Sequence, residues 1–139
     1  MYSRIMVPVD IAHPGGLSKA LGVAADLAMH YGAEICYVAV SSSAPGDLGH
    51  NPEEARTKLA HFAAAQGEAH GHAAKSHLAI SHDPAVDLDR TLLKAVQDTG
   101  ADLVIMASHV PAWSDFLRGS HGGHMANHAK CSVMIVRDS

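Results

Sequence analysis

The sequence predicts a three-layer α/β domain built on a doubly wound, mainly parallel sheet, and three observations carry that prediction. Strand-like and helix-like segments alternate five times along the chain, and parallel neighbours in one sheet need helical crossovers of right-handed sense. The run Asp102 to Ala107 is almost continuously apolar, as in a parallel strand covered on both faces. The 139 residues are 47% apolar and only 17% Asp, Glu, Lys and Arg, enough to bury a core without staples in a single domain spanning 1–139.

Each element follows in order. Arg4 to Val9 is a short, mostly apolar strand ended by Asp10, after which Pro14, Gly15 and Gly16 turn the chain. From Leu17 the apolar positions recur as Leu17, Ala20, Leu21, Ala24, Leu27, Ala28 and Tyr31, a helical stripe closed by Gly32 at the place of a C-terminal glycine cap. Glu34 to Val40 is a second strand and Ser41 to Gly49 a loop. Asn51 is the cap candidate of a second helix, with Pro52 at its first position and Glu53 and Glu54 opposing the positive end of the dipole. That helix turns Ala55, Leu59, Phe62 and Ala63 inward and ends near Gly71.

Lys75 to Ser81 alternates weakly and is read as the third strand. Asp83 and Pro84 start a third helix with Leu88, Leu92, Ala95 and Val96 inward, stopped by Gly100. Asp102 to Ala107 is then the central strand, Ser120 to Ala129 a last helix and Ser132 to Val136 a last strand. The last strand is apolar and lies at a sheet edge, where a two-fold mate can satisfy its open backbone groups.

Composition narrows the function classes. A formal charge of -4 argues against nucleic acid or anionic lipid as partner. No run approaches the ~18 apolar residues of a membrane span and no basic stretch leads into an apolar segment, so a soluble, cytoplasmic protein is expected. Cys36 and Cys131 sit inside apolar runs and are read as buried and reduced. Twelve histidines outnumber the ten lysines and arginines, which makes surface charge respond to mildly acidic pH.

In a doubly wound sheet ligands sit beyond the carboxyl ends of the strands, where the chain reverses direction across the sheet. That rule selects Val9 with Asp10, Val40 with Ser41, and Ala107 to Ser120. The last of these runs strand, loop, Gly119, Ser120 and then helix. Gly119 permits close approach of an anion, Ser120 adds a hydroxyl, and the amides of a starting helix point the same way. The same residues also serve simply to turn the chain and cap a helix.

Three segments together resemble the universal stress protein family: Ile5-Met6-Val7-Pro8-Val9-Asp10, Asp102-Leu103-Val104-Ile105-Met106-Ala107-Ser108-His109, and Gly119-Ser120 ahead of Cys131-Ser132-Val133-Met134-Ile135-Val136-Arg137. The resemblance implies a sheet of five parallel strands in the order 3-2-1-4-5, of the adenine nucleotide alpha hydrolase-like type. It further implies a homodimer through the last strand, Ser132 to Val136, and ATP or AMP bound at the switch point, with Mg2+ accompanying the nucleotide. Carried over, Asp10 meets the ribose or adenine side with Pro8 and Val9 beside it, Val40 lines the adenine pocket and Met106 lies under the nucleotide. His109 falls in the loop, Gly119 and Ser120 hold the phosphates, Arg118 adds positive charge beside them, and His121 follows at the same end.

The family pattern is Gly-x-x-Gly, nine residues, then Gly-Ser or Gly-Thr, and this chain departs from it. Ala107 and Val110 replace the two leading glycines, and eight residues, Pro111 to Arg118, separate Val110 from Gly119. Ala107 costs little in extended backbone, whereas a branched Val110 followed by Pro111 resists positive φ. Three classes therefore stand side by side: a nucleotide-binding stress regulator working with an unknown regulatory protein, a nucleotide-free dimeric interaction module, and a metal-binding or weakly ATP-hydrolysing protein. No catalytic residue is assigned, because only Asp115 and His109 are loop candidates and no Gly-x-Ser-x-Gly, Cys-x-x-Cys or His-Glu-x-x-His motif occurs. His121, His124 and His128 have helical spacing for a shared metal, but Gly122 and Gly123 weaken that turn, and solvated surface histidines are the commoner case.

Overall fold

The computed structural model describes residues 1–11, 14–42, 52–81, 84–108 and 131–137. Five strands form one parallel sheet: β1 (Arg4–Pro8), β2 (Glu34–Ser42), β3 (Ala74–Ser81), β4 (Leu103–Ala107) and β5 (Ser132–Val136), in the order β3-β2-β1-β4-β5. Between them run α1 (Ser18–Tyr31), α2 (Pro52–His70) and α3 (Pro84–Thr99). The expected last helix at Ser120 to Ala129, the cap at Asn51 and the helix start at Asp83 lie outside the described residues.

Register shows which helix covers which face. Val7 stands beside Tyr37 and Met6 beside Cys36, and alternate strand residues point to opposite faces. The Tyr37 ring meets Phe62 of α2 edge to face, with centroids 5.5 Å apart, while Thr99 of α3 reaches the Met6 sulfur. Thus α2 packs on the Val7 and Tyr37 face and α3 on the other. Right-handed crossovers require the same division.

The core lies between these layers: Ile5, Met6, Val7, Ile35, Tyr37, Val38, Val104 and Ile105 are each 0% exposed, as are Leu17, Leu59 and Leu92 against them. The inward faces read from helical spacing hold for Ala20, Ala24 and Ala28 in α1, Ala55, Leu59 and Ala63 in α2, and Leu92, Ala95 and Val96 in α3. Phe62 and Leu88 are only partly buried against the core.

Two stop signals work by the mechanism expected of them. Gly32 and Gly100 have φ of 66° and 69°, a region that costs other residues about 1–2 kcal/mol. The Gly32 cap lets Ala33 N–H return to the Ala28 carbonyl. One expectation needs correction: Cys36 is buried, but Cys131 is only half-buried, because it precedes the edge strand instead of lying within the sheet. Burial pushes both thiols up, and nearby Asp102 adds to this at Cys131, so each is protonated at neutral pH.

Candidate functional site

At the carboxyl edge, the chain turns left from β1 to β2 and right from β4 to β5, which makes the β1–β4 junction the switch point. Val9 N–H donates to the Val38 carbonyl at 2.8 Å, so it faces β2. Backbone groups alternate sides along a strand, and the nitrogen of Pro8 therefore faces β4. A proline has no donor to offer there. The β1–β4 register accordingly stops at Met6 with Val104, although β1 runs on to Pro8 and β4 to Ala107. On its other side Pro8 remains paired, opposite Val38.

The residues around this junction differ in exposure. Val9 and Met106 are each 1% exposed. Asp10, Val40, Ser41 and Ser108 are partly exposed above them. Ser108 N–H is taken up by the Val136 carbonyl at 2.9 Å, which holds the end of β4 against β5. The structure thus places Pro8, Val9, Asp10, Val40, Met106 and Ala107 at the carboxyl edge. His109, Val110, Arg118, Gly119, Ser120 and His121 lie outside the described residues.

Ala107 stands where the family pattern has its first glycine. It is ordinary extended strand with its side chain buried, opposite Val136. Among the described residues no non-glycine residue has positive φ, so this substitution carries no backbone strain. What sequence reasoning missed is the part played by Pro8, which it read only as a neighbour of Asp10. The signal was there: proline is out of place in a strand flanked on both sides.

The opposite edge is built differently. The Asp102 carboxylate accepts from the N–H groups of Ser3 (2.8 Å) and Arg4 (3.1 Å). Arg4 donates to Glu34 and to the Thr99 carbonyl at the end of α3, and Lys75 lies 3.4 Å from the other Glu34 oxygen. Partial burial pushes the Glu34 carboxyl up, but the hydrogen bonds and charges of Arg4 and Lys75 outweigh it and hold it below the usual range. A depression of about 540 Å³ lies here, lined in part by Arg4, Glu34, Met29 and His72. Arg4, Glu34 and His72 in this lining already have protein partners: His72 meets the buried Tyr37 hydroxyl at 3.2 Å and the Ala73 carbonyl at 3.1 Å.

Among the described residues no group of three or more His, Cys, Asp or Glu side chains could hold a metal ion, and no helix is long and apolar enough to cross a membrane.

Comparison with known proteins agrees with this architecture. Residues 1–137 match the sequence model of the universal stress protein family. A structure of a universal stress protein family member from Burkholderia pseudomallei is similar at 27% identity, with 97% of this chain and 96% of that chain covered and a TM-score of 0.68. The universal stress protein from Archaeoglobus fulgidus in complex with dAMP is similar at 18% identity, covering 96% and 97%, with a TM-score of 0.66. A family protein from Arabidopsis thaliana with AMP bound is similar at 14% identity, covering 99% and 92%, with a TM-score of 0.67.

Proposed function

Since the chain belongs to the universal stress protein family, we propose that it is an adenine-nucleotide-binding regulator of the stress response that works in the cytoplasm as a homodimer. The observation that carries this reading is the carboxyl-edge junction at the switch point, where the β1–β4 pairing ends at Met6 with Val104 and Asp10 follows the end of β1, partly exposed. Val9 and Met106 suit an adenine ring, which gains from apolar contact on its faces. A carboxylate at Asp10 suits ribose hydroxyls or the adenine amino group, both donors. The dAMP and AMP held by the two relatives support the same ligand class.

The phosphates fall to Gly119 and Ser120, as the resemblance implies, and Arg118 beside them supplies positive charge. Mg2+ enters with a polyphosphate, held mainly by phosphate oxygens and water in place of a protein cage. The chain's own residues bind and orient; no group is assigned to proton transfer or nucleophilic attack. Homodimer formation uses β5, whose Met134 and Ile135 are 39% and 37% exposed, and whose outer edge offers backbone donors and acceptors. A regulatory protein partner then reads the loaded state.

Calorimetric titration with AMP and with MgATP tests the proposal. Saturable binding is expected, weakened about tenfold, or about 1.4 kcal/mol, by Asp10→Ala. Binding of neither ligand at millimolar concentration overturns it and leaves the self-pairing module, which the exposed apolar edge of β5 favours. Val110→Gly restores the second glycine of the family pattern, and an increase in MgATP affinity is expected.

A further inference from the structure

We infer that Pro8 is a positioning residue that keeps the β1–β4 junction unzipped at its carboxyl end for the ligand. The inference rests on the nucleotide-binding reading above and deepens it.

The register fixes what an ordinary residue at position 8 would do. Ile5 stands beside Leu103 and Met6 beside Val104. In a parallel ladder this register sends the Met6 N–H to the Leu103 carbonyl and the Ile105 N–H back to the Met6 carbonyl. The next rung is an N–H at position 8 donating to the Ile105 carbonyl. Proline places a ring carbon where that hydrogen belongs. Meanwhile the other side of β1 continues its pairing to Val38, and β4 continues its pairing with β5 through Ala107 and Val136. The interruption is thus confined to one seam, and that seam is the switch point.

Because the Pro8 nitrogen faces β4, the β2 side is untouched and runs one residue further, with Val9 N–H on the Val38 carbonyl. Ile105 is 0% exposed, so the rung is lost in a region that water does not reach freely. Leaving a buried carbonyl without its strand donor costs stability, and local costs of this kind gather at functional sites.

The test is Pro8→Ala, read by amide hydrogen exchange, thermal unfolding and AMP titration on the full chain. The expected result is a protected amide at position 8, a midpoint raised by a few degrees, and AMP affinity weakened about tenfold or more. A stability gain joined to a binding loss is the signature that a purely structural proline would not give. Unchanged AMP affinity with a protected amide overturns the inference and leaves the nucleotide reading standing. An amide at position 8 that exchanges freely overturns the register argument. Wild-type protein that binds no adenine nucleotide removes the reading and the inference with it.

Discussion

The two edges of the same sheet are built on opposite principles. At the amino edge the backbone is bound by side chains: Asp102 holds the amides of Ser3 and Arg4, and Arg4 ties β1 to Glu34 of β2 and to the end of α3. At the carboxyl edge the strand between the same two neighbours loses a rung at Pro8, where it ends, and Asp10 follows two residues on. The difference teaches where the fold is closed and where it is left open. Closure at one end lets the other carry an incomplete ladder, since an α/β sheet needs only part of its length to fix register.

Substitutions at each edge should therefore have different signatures, and the largest effect is expected at Asp102. Asp102→Ala removes the acceptor of two backbone amides, each charge-assisted. Loss of about 2–3 kcal/mol of stability is expected in chemical denaturation, with AMP affinity unchanged. A loss under half that size would mean water replaces the carboxylate easily, and the amino edge would not be the clamp described. Gly100→Ala comes next. Its φ of 69° disfavours any side chain, and an added Cβ would come within 2.8 Å of the Arg4 guanidinium. Because that guanidinium is the far end of a flexible side chain, the backbone term dominates, and about 1–2 kcal/mol is expected. Asp10→Ala should show the reverse pattern, with a smaller loss of stability than Asp102→Ala and ligand affinity reduced. Equal effects on stability at Asp10 and Asp102 would break the contrast between the edges.

The same contrast explains what could be read in the sequence. Elements whose form is set locally were legible: Gly32 and Gly100 announce their helix ends through φ, and the apolar run of Asp102 to Ala107 announces a strand buried throughout as β4. The strand order came from the family resemblance. β3 was weak in sequence because an edge strand mixes its faces; Lys75, Ser76 and Ile80 are exposed while Ala79 and Ser81 are buried. β2 extends past Val40 to Ser42 because Ser41 and Ser42 pair with Ile80 and Ser81, and nothing in two serines foretells that pairing. For the candidate site, topology pointed to Val9, Asp10 and Val40, and Met106 came from the family resemblance. Pro8 was named without its role, since the role depends on which neighbour its nitrogen faces, a fact of register. The candidate site residues from His109 to His121 lie outside the described residues.

The smallest expected effect is at Glu34, and its pH dependence is the sharpest check on the amino edge. Arg4 and Lys75 hold its carboxyl below the usual range. A group whose folded pKa is lowered contributes stability above its unfolded pKa, and that contribution is lost as pH falls through the folded value. Glu34→Gln should thus destabilise the protein near neutral pH, while below the folded pKa, where Glu34 is itself neutral, the gap from wild type should shrink toward zero. The side chains of Arg4 and Lys75 are 43% and 63% exposed, so solvent screens the pair and the neutral-pH gap is expected to stay below about 1 kcal/mol. High salt should narrow it further. A gap that persists unchanged into acid would show that Glu34 acts through its shape and hydrogen bonding, and the ionic part of the clamp would then rest on Asp102 alone.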